Sequence, residues 1–171
     1  GLWRYIIGDT IRFTSILPYR FQVTGRTTHF INAFGEKTII SHVEKALAEA
    51  SKENNILVFD FTVAPYFEDS RGSGGHEWVI ALNTKDKNKI KKLEAAIESN
   101  MKAINVDYDG KRKGSVNMLA PKFSYVEKNV FELWLKIKNK LGGQHKIPRV
   151  QNDRIFIEEL LDIEIKGSGI S

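Results

Sequence analysis

The chain has 171 residues, 42% hydrophobic and 27% charged, with a net charge of +5 and no cysteine. This suits one globular domain with a sizeable core and excludes disulfides and thiolate metal sites. No apolar run is long enough to cross a bilayer. Arg4 and Asp9 interrupt the first apolar stretch, so it does not read as a signal peptide. His29, His42, His76 and His145 are scattered without a metal-ligand spacing, and no metal site is expected. A cytoplasmic location is expected, since a chain without cysteine needs no oxidising compartment. The chain opens Gly1-Leu2-Trp3 without an initiator Met and is expected to be a fragment of something longer.

Leu2 to Phe13 reads as extended chain with a turn at Gly8-Asp9. Arg20 to Thr24 alternates as a strand does, and Gly25-Arg26 is expected to break it. A short strand follows at His29 to Asn32, then a turn at Phe34-Gly35-Glu36. Ile39, Ile40, Val43, Ala46, Leu47 and Ala50 recur at helical spacing up to Asn54-Asn55. Ile56 to Ala64 and Glu77 to Leu82 read as strands separated by a polar loop, Glu68 to Gly75, the second strand central in its sheet. Ile90, Leu93, Ile97, Met101 and Ile104 form the stripe of a second helix that Asp86 can cap. Lys122 to Glu127 is another strand. Asn129 and Glu132 have capping-box spacing ahead of a helix that stops at Gly142-Gly143. A last short helix covers roughly Asp153 to Leu161, and Lys166 to Gly169 reads as a frayed tail. The fold class is α/β (α+β): a small mixed or antiparallel sheet with helices packed on it.

Three stretches, in order, carry a resemblance: Tyr5-Ile6-Ile7-Gly8-Asp9; Gly25-Arg26 with Phe30 to Lys37 and the helix through Val43 to Leu47; and Gly143-Gln144-His145-Lys146-Ile147-Pro148-Arg149. Together they resemble the closing portion of the adenylate-forming superfamily. The Gln-His-Lys-Ile-Pro-Arg stretch is similar to an element of the auxin-responsive promoter family, the acyl-acid amido synthetases, and Tyr108 to Gly114 resembles its bacterial branch. The resemblance covers nearly the whole chain. It implies a small C-terminal lid domain of an ATP-dependent enzyme that forms an acyl-adenylate and then passes the acyl group to an amine such as an amino acid. ATP, with magnesium in the full enzyme, is the implied cofactor, and none is expected to bind tightly to the fragment. The implied partners are a larger N-terminal domain of the same polypeptide and the carboxylic acid and amine substrates; nucleic acid and membrane are not expected. The fragment alone is expected to be inactive, and it can form a homodimer through surface that the larger domain would cover. The expected boundaries are 1–26 for the end of the large-domain region and hinge, 27–162 for the small domain, and 163–171 for a tail.

Several residues acquire roles through this resemblance. Asp9 falls where a carboxylate grips the ribose hydroxyls of ATP, a match of two acceptor oxygens to a vicinal diol; a turn-forming Gly-Asp pair is the simpler reading. Arg26 falls where an arginine contacts ribose or phosphate, or else is a surface residue ending a strand. Thr28 stands where many members carry a hinge Asp or Lys, and a hinge asks for torsional freedom more than a side chain. Gly35 and Glu36 lie on a loop that swings toward the active site for the second half-reaction, though Gly35 also suits a tight turn before a helix. Lys146 is the catalytic candidate. A carboxylate and a triphosphate repel each other, and a cation delivered between them positions the pair and stabilises charge at the α-phosphorus. Its simpler reading is one more lysine in a basic region with Lys136, Lys138 and Lys140.

Two other functions stay open. One is a basic α/β nucleic-acid-binding module, with affinity falling steeply in salt, although aromatics are not interleaved with the Lys85, Lys87, Lys89, Lys91 and Lys92 cluster. The other is a non-catalytic interaction domain. His76 reads as a hydrogen-bonded or surface histidine before a line of the amine site, and Trp78, Trp134 and Phe131 read as core.

Overall fold

A computed structural model describes residues 9–26, 30–70, 72–114, 118–138 and 146–168. The first element is a hairpin of β1 (Asp9–Ile16) and β2 (Tyr19–Arg26), whose turn holds a cis Leu17–Pro18 peptide. A two-residue pair, β3 (Phe30–Ile31) and β4 (Thr38–Ile39), closes the Gly35 loop and leads into α1 (Ile40–Asn54). The main sheet holds β5 (Val58–Phe67), β6 (Gly74–Leu82) and β7 (Lys122–Val126) in that spatial order. β5 and β6 are antiparallel and β6 and β7 parallel, so the sheet is mixed. Val150 makes a parallel bridge to Val63 on the free edge of β5. α2 (Lys87–Ile104) and α3 (Val106–Gly114) lie between β6 and β7, and α4 (Val130–Ile137) and α5 (Ile155–Ser168) follow.

Residue alternation explains the layering. On β5 and β6, Phe61, Val63, Trp78 and Ile80 face a core with Val43, Ala46, Leu47 and Ala50 of α1 and Leu93, Ile97 and Met101 of α2. The intervening Ala64, Val79 and Ala81 face a second core with Val130, Phe131 and Trp134 of α4 and Phe156, Ile157 and Leu160 of α5. β6 is therefore covered on both faces, as its continuous apolar run anticipates, and Trp78, Trp134 and Phe131 are core. α1 stops where Asn55 adopts the left-handed conformation (φ 50°, ψ 47°), and α2 starts at Asp86, whose carboxylate accepts from the backbone N–H groups of Asn88 and Lys89.

Five local readings need correction. β2 is not broken at Gly25-Arg26: both residues stay in the ladder, opposite Thr10 and Asp9, and a register shift at Thr10/Ile11 absorbs the irregularity. The β5–β6 hairpin is longer than expected, because Tyr66 and Phe67 remain paired with Gly75 and Gly74. α3 lies where the sequence reading assigns no element; Asp107 and Asp109 in the first turn and Lys111, Arg112 and Lys113 in the last suit the helix dipole. Asn129 makes no side-chain cap, because its backbone (φ −81°, ψ −10°) is already helical where a capping residue needs an extended one. α5 continues to Ser168, since Leu161 and Ile163 still pack on the second core and carry the helix past the expected end. Gly142 and Gly143 lie outside the described residues.

The hairpin end of the sheet is tight. A Cβ on Gly74 would stand 1.8 Å from the Tyr66 carbonyl oxygen. Gly74→Ala should therefore cost about 3 kcal/mol, the upper range for overpacking. Urea unfolding checks this, and an unchanged midpoint would contradict the close approach.

Candidate functional site

Asp9 and Arg26 are 17 positions apart in sequence, yet the β1–β2 register makes them direct cross-strand partners. The hairpin thus sets these two positions opposite each other at its open end. Beyond it, Ile11 opposes Val23 and Phe13 opposes Phe21, so these four side chains share one face of the hairpin. They are 48–60% exposed. Thr28 lies outside the described residues.

The Gly35 loop is held from several directions. Gly35 takes φ +82°, and an added Cβ would meet the Lys111 side chain at 3.1 Å, so glycine suits both the backbone and the space. Asn32 braces the turn: its carbonyl accepts from Gly35 N–H and its side-chain oxygen from Lys37 N–H. Glu36 points inward and is 0% exposed. Its Oε1 accepts from Nε2 of His76 at 2.9 Å and its Oε2 from the Phe34 N–H at 2.7 Å. His76 is 1% exposed, and its ring lies 5.4 Å from that of Tyr108. His76 Nδ1 has no hydrogen-bond partner among the described residues. A proton there would be buried without an acceptor, which favours the tautomer protonated on Nε2.

Burial by itself would push the Glu36 carboxyl up. The hydrogen bond and electrostatic attraction of His76, with the backbone N–H groups of Glu36 and Phe34, outweigh it and hold the group below the ordinary carboxylate value.

The junction of α2 and α3 completes the anchor. Asn105 donates to the Glu36 carbonyl and to Thr38 Oγ1, while its side-chain oxygen accepts from the Tyr108 N–H. Tyr108 donates its hydroxyl to Glu98, which also receives Lys102 and Arg112. Burial raises the Glu98 carboxyl, but these three donors overcome that and leave it lowered. Glu36 is therefore a loop residue whose side chain fastens the loop to the domain, while Gly35 and Lys37 are exposed.

Lys146 lies at the start of a segment laid along β5. Thr62 Oγ1 donates to the Pro148 carbonyl, Val63 N–H to the Arg149 carbonyl, and Gln151 N–H to the Val63 carbonyl. Arg149 donates to Asp60 and to the Phe61 carbonyl, and its guanidinium stacks 4.6 Å from the Phe61 ring. Arg149 is thus an anchor. Lys146 itself is exposed and joins no ion pair among the described residues. The segment is docked, and its cationic tip is exposed.

The structure therefore joins Asp9 to Arg26 and keeps the two loops apart. Glu36 meets His76, which pairs across the sheet with Pro65, whereas Arg149 meets Asp60 near the other end of β5. Five residues of strand separate Asp60 from Pro65, about 17 Å at 3.4 Å per residue. The sequence gives no local sign that His76 meets Glu36, because the two residues are 40 positions apart. Among the described residues, no three His, Asp or Glu side chains gather to hold a metal ion, and no helix is long and apolar enough to cross a membrane.

Residues 41–155 match the model of the GH3 family C-terminal domain. Among solved structures, the chain is similar to GH3.15 acyl acid amido synthetase, with a TM-score of 0.72, 21% identity, and coverage of 97% of this chain and 31% of that one. It is also similar to AtGH3.15 acyl acid amido synthetase in complex with 2,4-DB, at TM-score 0.68 and 20% identity, covering 95% of this chain and 30% of that one. The chain thus spans about a third of the length of these synthetases. A search of curated proteins gave no match.

Proposed function

Since the chain belongs to the GH3 family, whose C-terminal domain it matches, we propose that it is the small lid domain of an ATP-dependent acyl-acid amido synthetase. The observation that carries this reading is the disposition of Lys146 and the Gly35 loop toward opposite ends of β5. One rigid domain with two functional ends can present each in turn by rotating about a hinge near Thr28.

In the first half-reaction, ATP supplies an adenylyl group that activates a carboxylic acid, with pyrophosphate as leaving group. This chain contributes Lys146, placed between like charges that otherwise repel. Its free ammonium, on a segment docked to β5 by Arg149 and the Pro148 carbonyl, suits a contact that arrives with closure and leaves on rotation. The opposed positions of Asp9 and Arg26 on the hairpin support roles for these residue types at a ribose diol and a neighbouring phosphate. No cage for magnesium forms among the described residues; magnesium is commonly held largely by substrate phosphates. In the second half-reaction the domain presents the loop with Gly35, where an amine displaces AMP from the acyl-adenylate.

The apolar face of the hairpin supports the assignment of residues 1–26 to the region joined to a larger N-terminal domain, which would cover Ile11, Phe13, Phe21 and Val23. The small domain begins at about residue 27 and takes in α5, whose Ile163 still packs on the second core. Tyr108 to Gly114 supports the bacterial branch, and a cytoplasmic location accords with a chain that contains no cysteine.

Carboxylate-dependent exchange of pyrophosphate into ATP tests the reading. The full-length protein should catalyse exchange with at least one member of a panel of aryl and alkyl acids, and the 171-residue chain alone should not. A full-length protein that folds, binds ATP and exchanges with none would overturn it.

A further inference from the structure

A cavity lies far along the sheet from the Gly35 loop. It opens at the C-terminal ends of the parallel strands β6 and β7, beneath the first turns of α2 and beside α5, with a volume of about 450 Å³. That is within the size range of small-molecule pockets. Its floor and walls are apolar: Leu82, Ile90, Val126 and the ring of Tyr125. Three lysines, Lys85, Lys87 and Lys91, and three glutamates, Glu94, Glu127 and Glu164, stand around it.

Each glutamate accepts a hydrogen bond, and Glu127 also forms an ion pair. Glu94 accepts the Tyr125 hydroxyl at 2.8 Å, Glu127 pairs with Lys85 at 2.6 Å, and Glu164 accepts the Glu127 N–H at 2.8 Å. Lys87 and Lys91 form no ion pair among the described residues, and they sit four positions apart, on one face of α2. Asp86 takes up the backbone donors of Asn88 and Lys89, so an anion here is gripped by lysine side chains. The pocket thus has an apolar body with Lys87 and Lys91, outside any ion pair among the described residues, together on one side.

From this juxtaposition we infer that the cavity at the ends of β6 and β7 binds a small amphipathic carboxylate, its alkyl body between Leu82, Ile90, Tyr125 and Val126 and its head on Lys87 and Lys91. It is distinct from the Asp9–Arg26, Gly35 and Lys146 positions and does not depend on the lid-domain reading. The apolar walls favour the body over water, and the two cations together distinguish an acid from the neutral molecule of the same shape.

Octanoate, 1-octanol and acetate, titrated against the isotope-labelled chain and followed by amide chemical shifts, separate these contributions. Octanoate should give saturable shifts at Thr84 to Lys91 and at Val126 and Glu127, whereas octanol, lacking the head, and acetate, lacking the body, should bind at least about tenfold more weakly. The double variant Lys87→Glu/Lys91→Glu should weaken octanoate about tenfold, since both contacts to the head are lost and reversed in charge. The control Lys89→Glu/Lys92→Glu changes the same net charge away from the cavity and should leave binding within about twofold. Octanoate shifts that centre on Ile11 to Val23, equal affinity for octanol, or equal loss in both double variants would each overturn the site.

Discussion

On the proposed lid-domain reading, Lys146→Ala in the full-length protein should slow acyl-adenylate formation by about a hundredfold, the loss of roughly 3 kcal/mol of transition-state stabilisation that a single preorganised electrostatic contact supplies. Pyrophosphate exchange measures it directly. The substitution reads cleanly because Lys146 is exposed and holds no ion pair among the described residues, so the thermal midpoint should not move. The neighbouring anchors belong to Thr62, Asp60 and Arg149, which remain intact. Lys146→Arg keeps the charge on a longer, planar head and should recover only part of the rate. Aminolysis of a preformed acyl-adenylate should be nearly unaffected, because Lys146 and the Gly35 loop lie toward opposite ends of β5. A wild-type exchange rate in Lys146→Ala would remove the catalytic role, and equal losses in both half-reactions would argue against presentation of two separate ends.

The main elements were legible because each rests on a local rule. The α2 stripe from Ile90 to Met101 with its Asp86 cap, and the apolar run of β6, announce a helix and a doubly covered strand without any tertiary information. Where the structure departs, a tertiary term prevails. Leu161 and Ile163 find the second core and draw α5 past Leu161. α3 forms despite Gly110 because Tyr108 is buried against His76 and tied to Glu98. Asn129 shows the converse: capping-box spacing without the extended backbone that a cap requires. The site was legible only as separate motifs. Pairing Asp9 with Arg26 needs the hairpin register, and pairing Glu36 with His76 needs the β3–β4 loop to fold over the Gly74 end of β6.

That second pairing carries the largest expected effect on stability. Glu36→Ala leaves His76 Nε2 and the Phe34 N–H without their acceptor, both in a buried setting. A buried donor left without its acceptor costs about 1–3 kcal/mol, so the two together are a large share of the roughly 5–15 kcal/mol that holds a domain together. Urea unfolding at neutral pH should show this as a large drop in midpoint. Glu36→Gln keeps the shape and one acceptor oxygen and should cost about 1–2 kcal/mol. Acid then separates charge from shape. The Glu36 carboxyl is lowered in the folded state, so its contribution is fully present above its unfolded value near 4.5 and is lost as pH falls through the lower folded value. Glu98 is lowered too, but it titrates alike in both proteins. The stability gap between the parent and Glu36→Gln should therefore be constant from neutral pH down to about 5 and narrow below it. A gap that stays constant into acid would mean that the ionised carboxylate adds nothing beyond its shape. A midpoint for Glu36→Ala equal to the parent's would mean that the Gly35 loop is not fastened through His76 at all.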